Sequence, residues 1–272
     1  MDAPVGVFDS GVGGLTVAKE LFKLLPQEDV VYFGDVGRSP YGGRSKEIIT
    51  TFTHQDVAFL MEHRVKYIVC ACNTASSVAL DDVSKNYPVK MIGVIEPGAK
   101  AAMERTKTGR IGVIGTVATV TSNAYARTIH DLDAKVKVFS LACPLFVPLA
   151  EEGYINKEAT YMIARDYLKT MKDVDVDTLI LGCTHYPLLK HVIADVMGDK
   201  VHLIDSGEET AKVAYRQLVE EQLLSSRNSQ RPGLVGEHKF FVSDVPEKFS
   251  QVATRFLGEL VDNITRVDIS RY

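Results

Sequence analysis

Short β-branched runs alternate with amphipathic stretches along almost the whole 272-residue chain, and that alternation commits it to parallel sheets flanked by helices. Strands are expected at 5–8, 30–33, 67–71, 90–95, 110–114, 135–139, 178–181, 201–204 and 239–242. Helices are expected to begin near Gly14, Ser45, Thr74, Pro97, Val120, Lys157, Tyr186, Gly207 and Pro246. In the first of them Leu15, Ala18, Leu21, Phe22 and Leu25 recur at helical spacing, and Pro26 ends the run. Pro97 suits the first turn of its helix, where an N–H has no intrahelical partner to lose.

The pattern repeats itself. Val5-Gly6-Val7-Phe8-Asp9-Ser10-Gly11 is echoed by Val201-His202-Leu203-Ile204-Asp205-Ser206-Gly207 and, more loosely, by Arg110-Ile111-Gly112-Val113-Ile114-Gly115-Thr116. Two similar α/β halves explain the echoes, as does the turn chemistry that favours Gly, Ser and Asp after strands. The natural break falls at Glu96-Pro97-Gly98. We therefore expect an α/β fold of two similar parallel-sheet domains facing each other across a cleft. One comprises residues 1–96 plus a returning tail 208–272, and the other residues 97–207. The polar stretch 225–237 reads as a surface loop.

Bulk properties narrow the function classes. A net charge of −4 with 24% charged residues leaves no electrostatic footprint for nucleic acid or an anionic membrane. No apolar run approaches the roughly 20 residues that span a bilayer, and the first residues show no leader pattern. A cytoplasmic protein is expected. Four cysteines, Cys70, Cys72, Cys143 and Cys183, do not form a disulfide framework in a chain this long. Cys70 and Cys143 read as small core residues.

Cys72 and Cys183 read differently. Each follows a strand and precedes an expected helix start, in Ala71-Cys72-Asn73-Thr74 and Gly182-Cys183-Thr184-His185. A thiol there can feel the positive end of a helix, which favours the thiolate. Asp9-Ser10-Gly11, Asp35 and Gly115-Thr116 also follow strands, and ligands of parallel α/β folds bind beyond the strands' carboxyl ends. Singly, Ser10, Thr74 and Thr184 are ordinary N-caps; their convergence on one edge is the signal.

The loop Asp9–Gly14 fills two slots of a dinucleotide fingerprint, but the third falls on Thr16. Asp35 lies near the spacing of a ribose-binding acid, yet a small carboxylate held by backbone N–H groups is the better use of the loop. His185 can serve a thiol or merely cap a turn. Residues 37–43, with Tyr41 near the centre, form a loop placed to cover a ligand. A zinc site drawn from Cys70, Cys72, Cys183 and His185 lacks the Cys-x₂₋₄-Cys spacing of structural zinc, so no metal is expected. A Cys-His hydrolase built on Cys183 and a non-catalytic binding protein remain as rivals.

Taken together, Phe8-Asp9-Ser10-Gly11-Val12-Gly13-Gly14-Leu15-Thr16, Tyr32-Phe33-Gly34-Asp35, Pro40-Tyr41-Gly42, Ala71-Cys72-Asn73-Thr74-Ala75, Leu181-Gly182-Cys183-Thr184-His185-Tyr186-Pro187 and Ile204-Asp205-Ser206-Gly207 resemble the glutamate racemases of the cofactor-independent aspartate/glutamate racemase superfamily. The resemblance implies an isomerase without cofactor that inverts glutamate between Cys72 and Cys183. It implies Asp9 and His185 as auxiliary residues beside the thiols, and Glu152, with Glu151 next to it, as a further one. Asp9, Ser10, Tyr41, Gly42, Asn73, Thr74, Thr184 and His185 match substrate-contact positions, with Thr116 and Thr119 as weaker matches. It also implies a homodimer that supplies D-glutamate for peptidoglycan. A racemase of a related small acid such as aspartate is the alternative.

Overall fold

A computed structural model of the protein describes residues 3–225, 235–258, 260–261 and 263–272. Its first part runs β1 (Val5–Asp9), α1 (Leu15–Leu24), β2 (Val30–Gly34), α2 (Lys46–Glu62), β3 (Tyr67–Cys70), α3 (Asn73–Val78), α4 (Leu80–Val83) and β4 (Lys90–Gly93). The middle runs α5 (Ile95–Arg105), β5 (Arg110–Gly115), α6 (Val117–Thr121), α7 (Ala124–Leu132), β6 (Lys137–Ala142), α8 (Phe146–Glu151), α9 (Glu158–Asp173), β7 (Thr178–Gly182), α10 (Lys190–Met197) and β8 (His202–Asp205). The chain then returns through α11 (Ser206–Glu220), β9 (His238–Val242), α12 (Pro246–Leu257) and β10 (Ile264–Arg266). The expected loop at 225–237 lies mostly outside the described residues.

The strands form two wholly parallel sheets, ordered β10-β9-β2-β1-β3-β4 and β6-β5-β7-β8. Leaving aside the two strands added late in the chain, each half has its second strand, first, third and fourth in that order. Both halves therefore reverse direction beside their first strand, where a doubly wound sheet opens its crevice. The two cysteines follow the third strand of their respective halves, β3 and β7. The looser echo, of β1 with β5, is thus matched by topology, whereas the other likens β1 to β8, the fourth strand of its half.

Buried strands alternate their side chains between two cores. Val5, Val7, Tyr32, Tyr67 and Val69 pack beneath Leu15, Ala18 and Leu21 of α1 and Ala211, Ala214 and Leu218 of α11. Phe8, Phe33, Ile68 and Cys70 face Val57, Phe59 and Leu60 of α2. The second sheet is sandwiched likewise, by α8, α9 and α10 on one face and α5 and α7 on the other. Cys143 is buried in the first of these clusters.

Several expectations shift. Strand β4 ends at Gly93 rather than residue 95, because Ile95 already opens α5 and Pro97 sits in its first turn. Strand β6 runs Lys137–Ala142 rather than 135–139, its register set by β5. The helix expected near Val120 is two, α6 and α7, separated by Asn123 in the left-handed region at φ 55°. After Cys183 a 3₁₀ turn at Tyr186–Leu189 intervenes, and regular helix begins only at Lys190.

Candidate active site

The carboxyl ends of β1 and β3 from one half and β5 and β7 from the other bring the polar clusters together. Cys72 caps α3: its sulfur accepts the Ala75 N–H at 3.4 Å and donates to Ser10 Oγ at 3.5 Å. It is 4% exposed. Burial pushes this thiol up to about 12, the Asp9 carboxylate adding to the rise and the Ser10 and Ala75 hydrogen bonds opposing it. The helix-end effect anticipated at Cys72 is present but outweighed, because α3 has only six residues and the sulfur is desolvated.

Cys183 is 6% exposed and has no regular helix at its back. Its neighbour is the His185 imidazole, whose Nδ1 lies 3.8 Å from Cys183 Sγ and 3.4 Å from Thr184 Oγ1. The other ring nitrogen, Nε2, is 2.9 Å from Glu151 Oε1. Burial alone would strip the imidazolium, but hydrogen bonds and charge from Cys183 and Glu151 win, lifting His185 to about 10. Phe256 of α12 packs edge-on against the ring at 5.4 Å. The resemblance points to Glu152 as a further auxiliary residue, with Glu151 as the open alternative. Glu151 closes α8 and points to the imidazole, whereas Glu152 follows the helix and is exposed.

Asp9 joins the two thiol sites. It is fully buried, its Oδ2 accepts the Gly11 N–H at 3.0 Å, and Oδ1 has no hydrogen-bond partner among the described residues. Burial raises its carboxyl, while the His185 charge pulls it back. Asp9 is therefore within electrostatic reach of both Cys72 and His185. Its bond to Gly11 also takes an N–H that the loop was expected to offer a ligand. Gly13 is where the halves touch: a Cβ there would fall 2.2 Å from Thr184 Oγ1 and 2.5 Å from His185 Cε1, so only glycine fits.

Threonines line the seam. Thr74 Oγ1 is 2.9 Å from Thr116 Oγ1 and 3.4 Å from Thr119 Oγ1, and the last two are 3.0 Å apart. Gly42 abuts Thr116, whose Cβ would lie 2.7 Å from an added Cβ. Asn73 Nδ2 donates to Ser206 Oγ at 3.4 Å and its Oδ1 accepts from Tyr125 Oη at 2.7 Å. Ser206 Oγ in turn donates to the Leu181 carbonyl at 3.1 Å, two residues before Cys183.

One expectation changes here. The Tyr41 hydroxyl does not face the seam; the ring is fully buried and bonds Asp35 and Asp56, leaving only its backbone to a ligand. Asp35 is likewise buried, against Arg38 and Tyr41, in keeping with the preference for a small carboxylate over a nucleotide. Tyr125 and Ser206 escaped the sequence reading. So did Thr16, noted only as a misfit, whose hydroxyl donates to the Thr184 carbonyl at 3.0 Å. Ser206 lay inside a motif already noticed, whereas Tyr125 carries no local signal. Among the described residues no three His, Cys, Asp or Glu side chains gather as metal ligands, and no helix is long and apolar enough to cross a membrane. Beside the seam, Gly11, Ser39, Pro40, Val147 and Glu151 border a cavity of about 510 Å³.

Two thiols follow equivalent strands, with a buried acid and an imidazole in electrostatic reach, an arrangement suited to moving protons. A sequence model of the Asp/Glu/hydantoin racemases matches residues 29–214, and the chain belongs to that family of isomerases. Within it, the likeness is to glutamate racemases. The protein of that name from Geobacter metallireducens is 48% identical over 97% of this chain and 96% of its own length. Among solved structures, a glutamate racemase isoform of Bacillus anthracis superposes with a TM-score of 0.93 at 41% identity, covering 98% of this chain and 97% of that one. The Francisella tularensis glutamate racemase in complex with D-glutamate gives 0.92 at 39%, covering all of both chains.

Proposed function

We propose that this protein interconverts L- and D-glutamate without a cofactor, by a two-base reaction at Cys72 and Cys183, and so supplies D-glutamate for peptidoglycan. Inversion requires a proton to leave one face of the α-carbon and arrive on the other, which two opposed groups do more readily than one. The observation that carries the reading is the placement of the thiols after equivalent strands β3 and β7, with the Asp9 charge acting on Cys72 and His185 lying beside Cys183. Cys183 works as thiolate beside the His185 imidazolium when L-glutamate enters, while Cys72 starts as thiol and delivers its proton. The reverse direction exchanges these roles, with Asp9 assisting Cys72.

The developing carbanion needs fixed dipoles and a dry site. The small exposure of both thiols supports that need. Ser10, Asn73, Thr74, Thr116, Thr119, Thr184 and the backbone at Tyr41-Gly42 hold the substrate. Residues 1–96 with 208–272, and residues 97–207, act as the two bodies that close over it, in a cytoplasmic homodimer.

The test is incubation of each glutamate enantiomer in deuterated water. Wild type is expected to incorporate deuterium at the α-carbon as it inverts configuration, and Cys72→Ser or Cys183→Ser alone to stop inversion. Inversion surviving either substitution overturns the two-base reading. Faster inversion of aspartate than of glutamate overturns the substrate.

A further inference from the structure

Asp35, Arg38 and the Tyr41 hydroxyl take no part in that reaction, yet they form a closed network beneath the loop that borders it. Asp35, Asp56 and Tyr41 are all fully buried. Tyr41 Oη lies 2.9 Å from Asp56 Oδ2 and also bonds Asp35 Oδ2. Arg38 Nε donates to that same Asp35 oxygen at 2.6 Å, and its Nη2 to Asp56 Oδ1 at 3.2 Å. Its guanidinium also stacks over Phe52 at 4.0 Å.

Counting hydrogens decides what this network contains. A phenol has one proton to give. Two bare carboxylate oxygens at hydrogen-bond distance would leave one lone pair facing another in a site without water's screening. One of the two acids must therefore supply a second proton. Asp35 is the poorer host: its Oδ2 already receives Arg38 and Tyr41, and its Oδ1 is buried with no partner among the described residues, so a proton there would find no acceptor. Asp56 Oδ2 faces only the phenol oxygen among the described contacts, and Oδ1 is left to accept from Arg38.

We infer that Asp56 is a neutral carboxylic acid that donates to Tyr41, that Tyr41 donates to an ionised Asp35, and that this circuit positions the Tyr41-Gly42 segment for substrate. The charged and titratable groups around Asp56 agree with that assignment. Burial pushes its carboxyl well above the ordinary range, Asp35 and more distantly Asp9 push the same way, and Arg38 and the Tyr41 hydrogen bond oppose them. Cys70, on β3, is itself pushed well up by burial and brings no charge to Asp56. From Tyr41 the path to the seam is short, since Gly42 packs on Thr116 and Thr116 bonds Thr74. Asp56, Asp35 and Arg38 are positioning residues, and what they position for rests on the function proposed above. The buried proton does not rest on it.

Two measurements test the inference. Infrared spectra of the wild-type protein at pH 8 are expected to contain a protonated-carboxyl carbonyl band that disappears in Asp56→Asn and moves in Tyr41→Phe. Protonated forms of Asp9 or Asp205, both raised by burial, would give bands that neither substitution moves. In the racemisation assay Tyr41→Phe is expected to raise KM for glutamate about tenfold with kcat within about twofold. Asp56→Ala should do the same, and Asp56→Asn should restore KM because an amide N–H can replace the acid proton. A missing band, a band indifferent to both variants, or an unchanged KM in Tyr41→Phe overturns the inference. Should Asp56→Asn not fold, the Tyr41→Phe band decides the proton. A wild-type enzyme that leaves glutamate untouched defeats the proposed function instead, with the infrared result still standing.

Discussion

Glu151 and Glu152 differ by one position and by everything that matters chemically. Glu151 ends α8 with its carboxylate on His185, and Arg255 of α12 donates to the Glu151 backbone carbonyl. Since Glu151 helps hold the His185 proton, Glu151→Gln should lower the imidazole from about 10. The sign follows: His185 is raised on folding, so its stabilising charge is complete below pH 6.5 and lost as pH climbs through about 10. In Glu151→Gln that loss comes earlier. The alkaline limb of the L-to-D pH–rate profile is expected to move to lower pH, with kcat/KM at pH 8 down about ten- to a hundredfold. Glu152→Gln should retain the wild-type profile; equal effects of the two variants would refute the assignment. From sequence the two acids were indistinguishable, because α8 itself was hidden in an apolar stretch interrupted by Pro148. Asp9, Cys72, Cys183 and His185 stand out in the sequence because each ends a strand or follows one within three residues, a position that local pattern does reveal.

At the scale of elements, what the pattern could not reveal was set by neighbours. Strand β10 has three residues and, among the described strands, pairs only with β9, so no run announces it. The end of β6 follows the length of β5 rather than any signal of its own. The echo between Asp9-Ser10-Gly11 and Asp205-Ser206-Gly207 is shared turn chemistry: both Asp side chains accept backbone N–H groups just ahead of them. A third such acid, Asp177, ties the α5–β5 loop to the start of β7. It accepts from the Thr106 hydroxyl at 2.6 Å and from the N–H groups of Lys107 and Thr108 at 2.7 Å each. Partial burial works against its charge, but these bonds prevail and hold the carboxyl down to about 2. A depressed acid stabilises above its unfolded value and loses that contribution as pH falls through the folded one. Asp177→Asn is therefore expected to cost about 1 kcal/mol at pH 7, a figure kept small because the group is partly solvated. In denaturant titrations the gap from wild type should narrow as pH drops from 4 toward 2; a gap independent of pH would mean that charge is not involved.

For the molecule as a whole, the question is how glutamate reaches thiols that are 4% and 6% exposed. The halves are joined at the seam by bonds that include Thr16 to the Thr184 carbonyl, Thr74 to Thr116 and Tyr125 to Asn73. Each is worth about 1 kcal/mol, so losing one should shift an open–closed equilibrium about fivefold. Tyr125 is the most telling choice, because its buried hydroxyl reaches from α7 of one half to the residue after Cys72 in the other. In Tyr125→Phe the Asn73 oxygen loses its 2.7 Å donor only when the halves are closed. Cys72 and Cys183 should then react with a small alkylating reagent about fivefold faster than in wild type. Saturating D-glutamate should slow the reaction in both proteins, since ligand binding favours the closed form. Buried Cys70 and Cys143 serve as internal controls, because their labelling would report unfolding rather than opening. Faster labelling confined to Cys72 and Cys183 places the motion at the seam. Acceleration of all four thiols, or of none, would mean that Tyr125 contributes packing and that access to the site has another route.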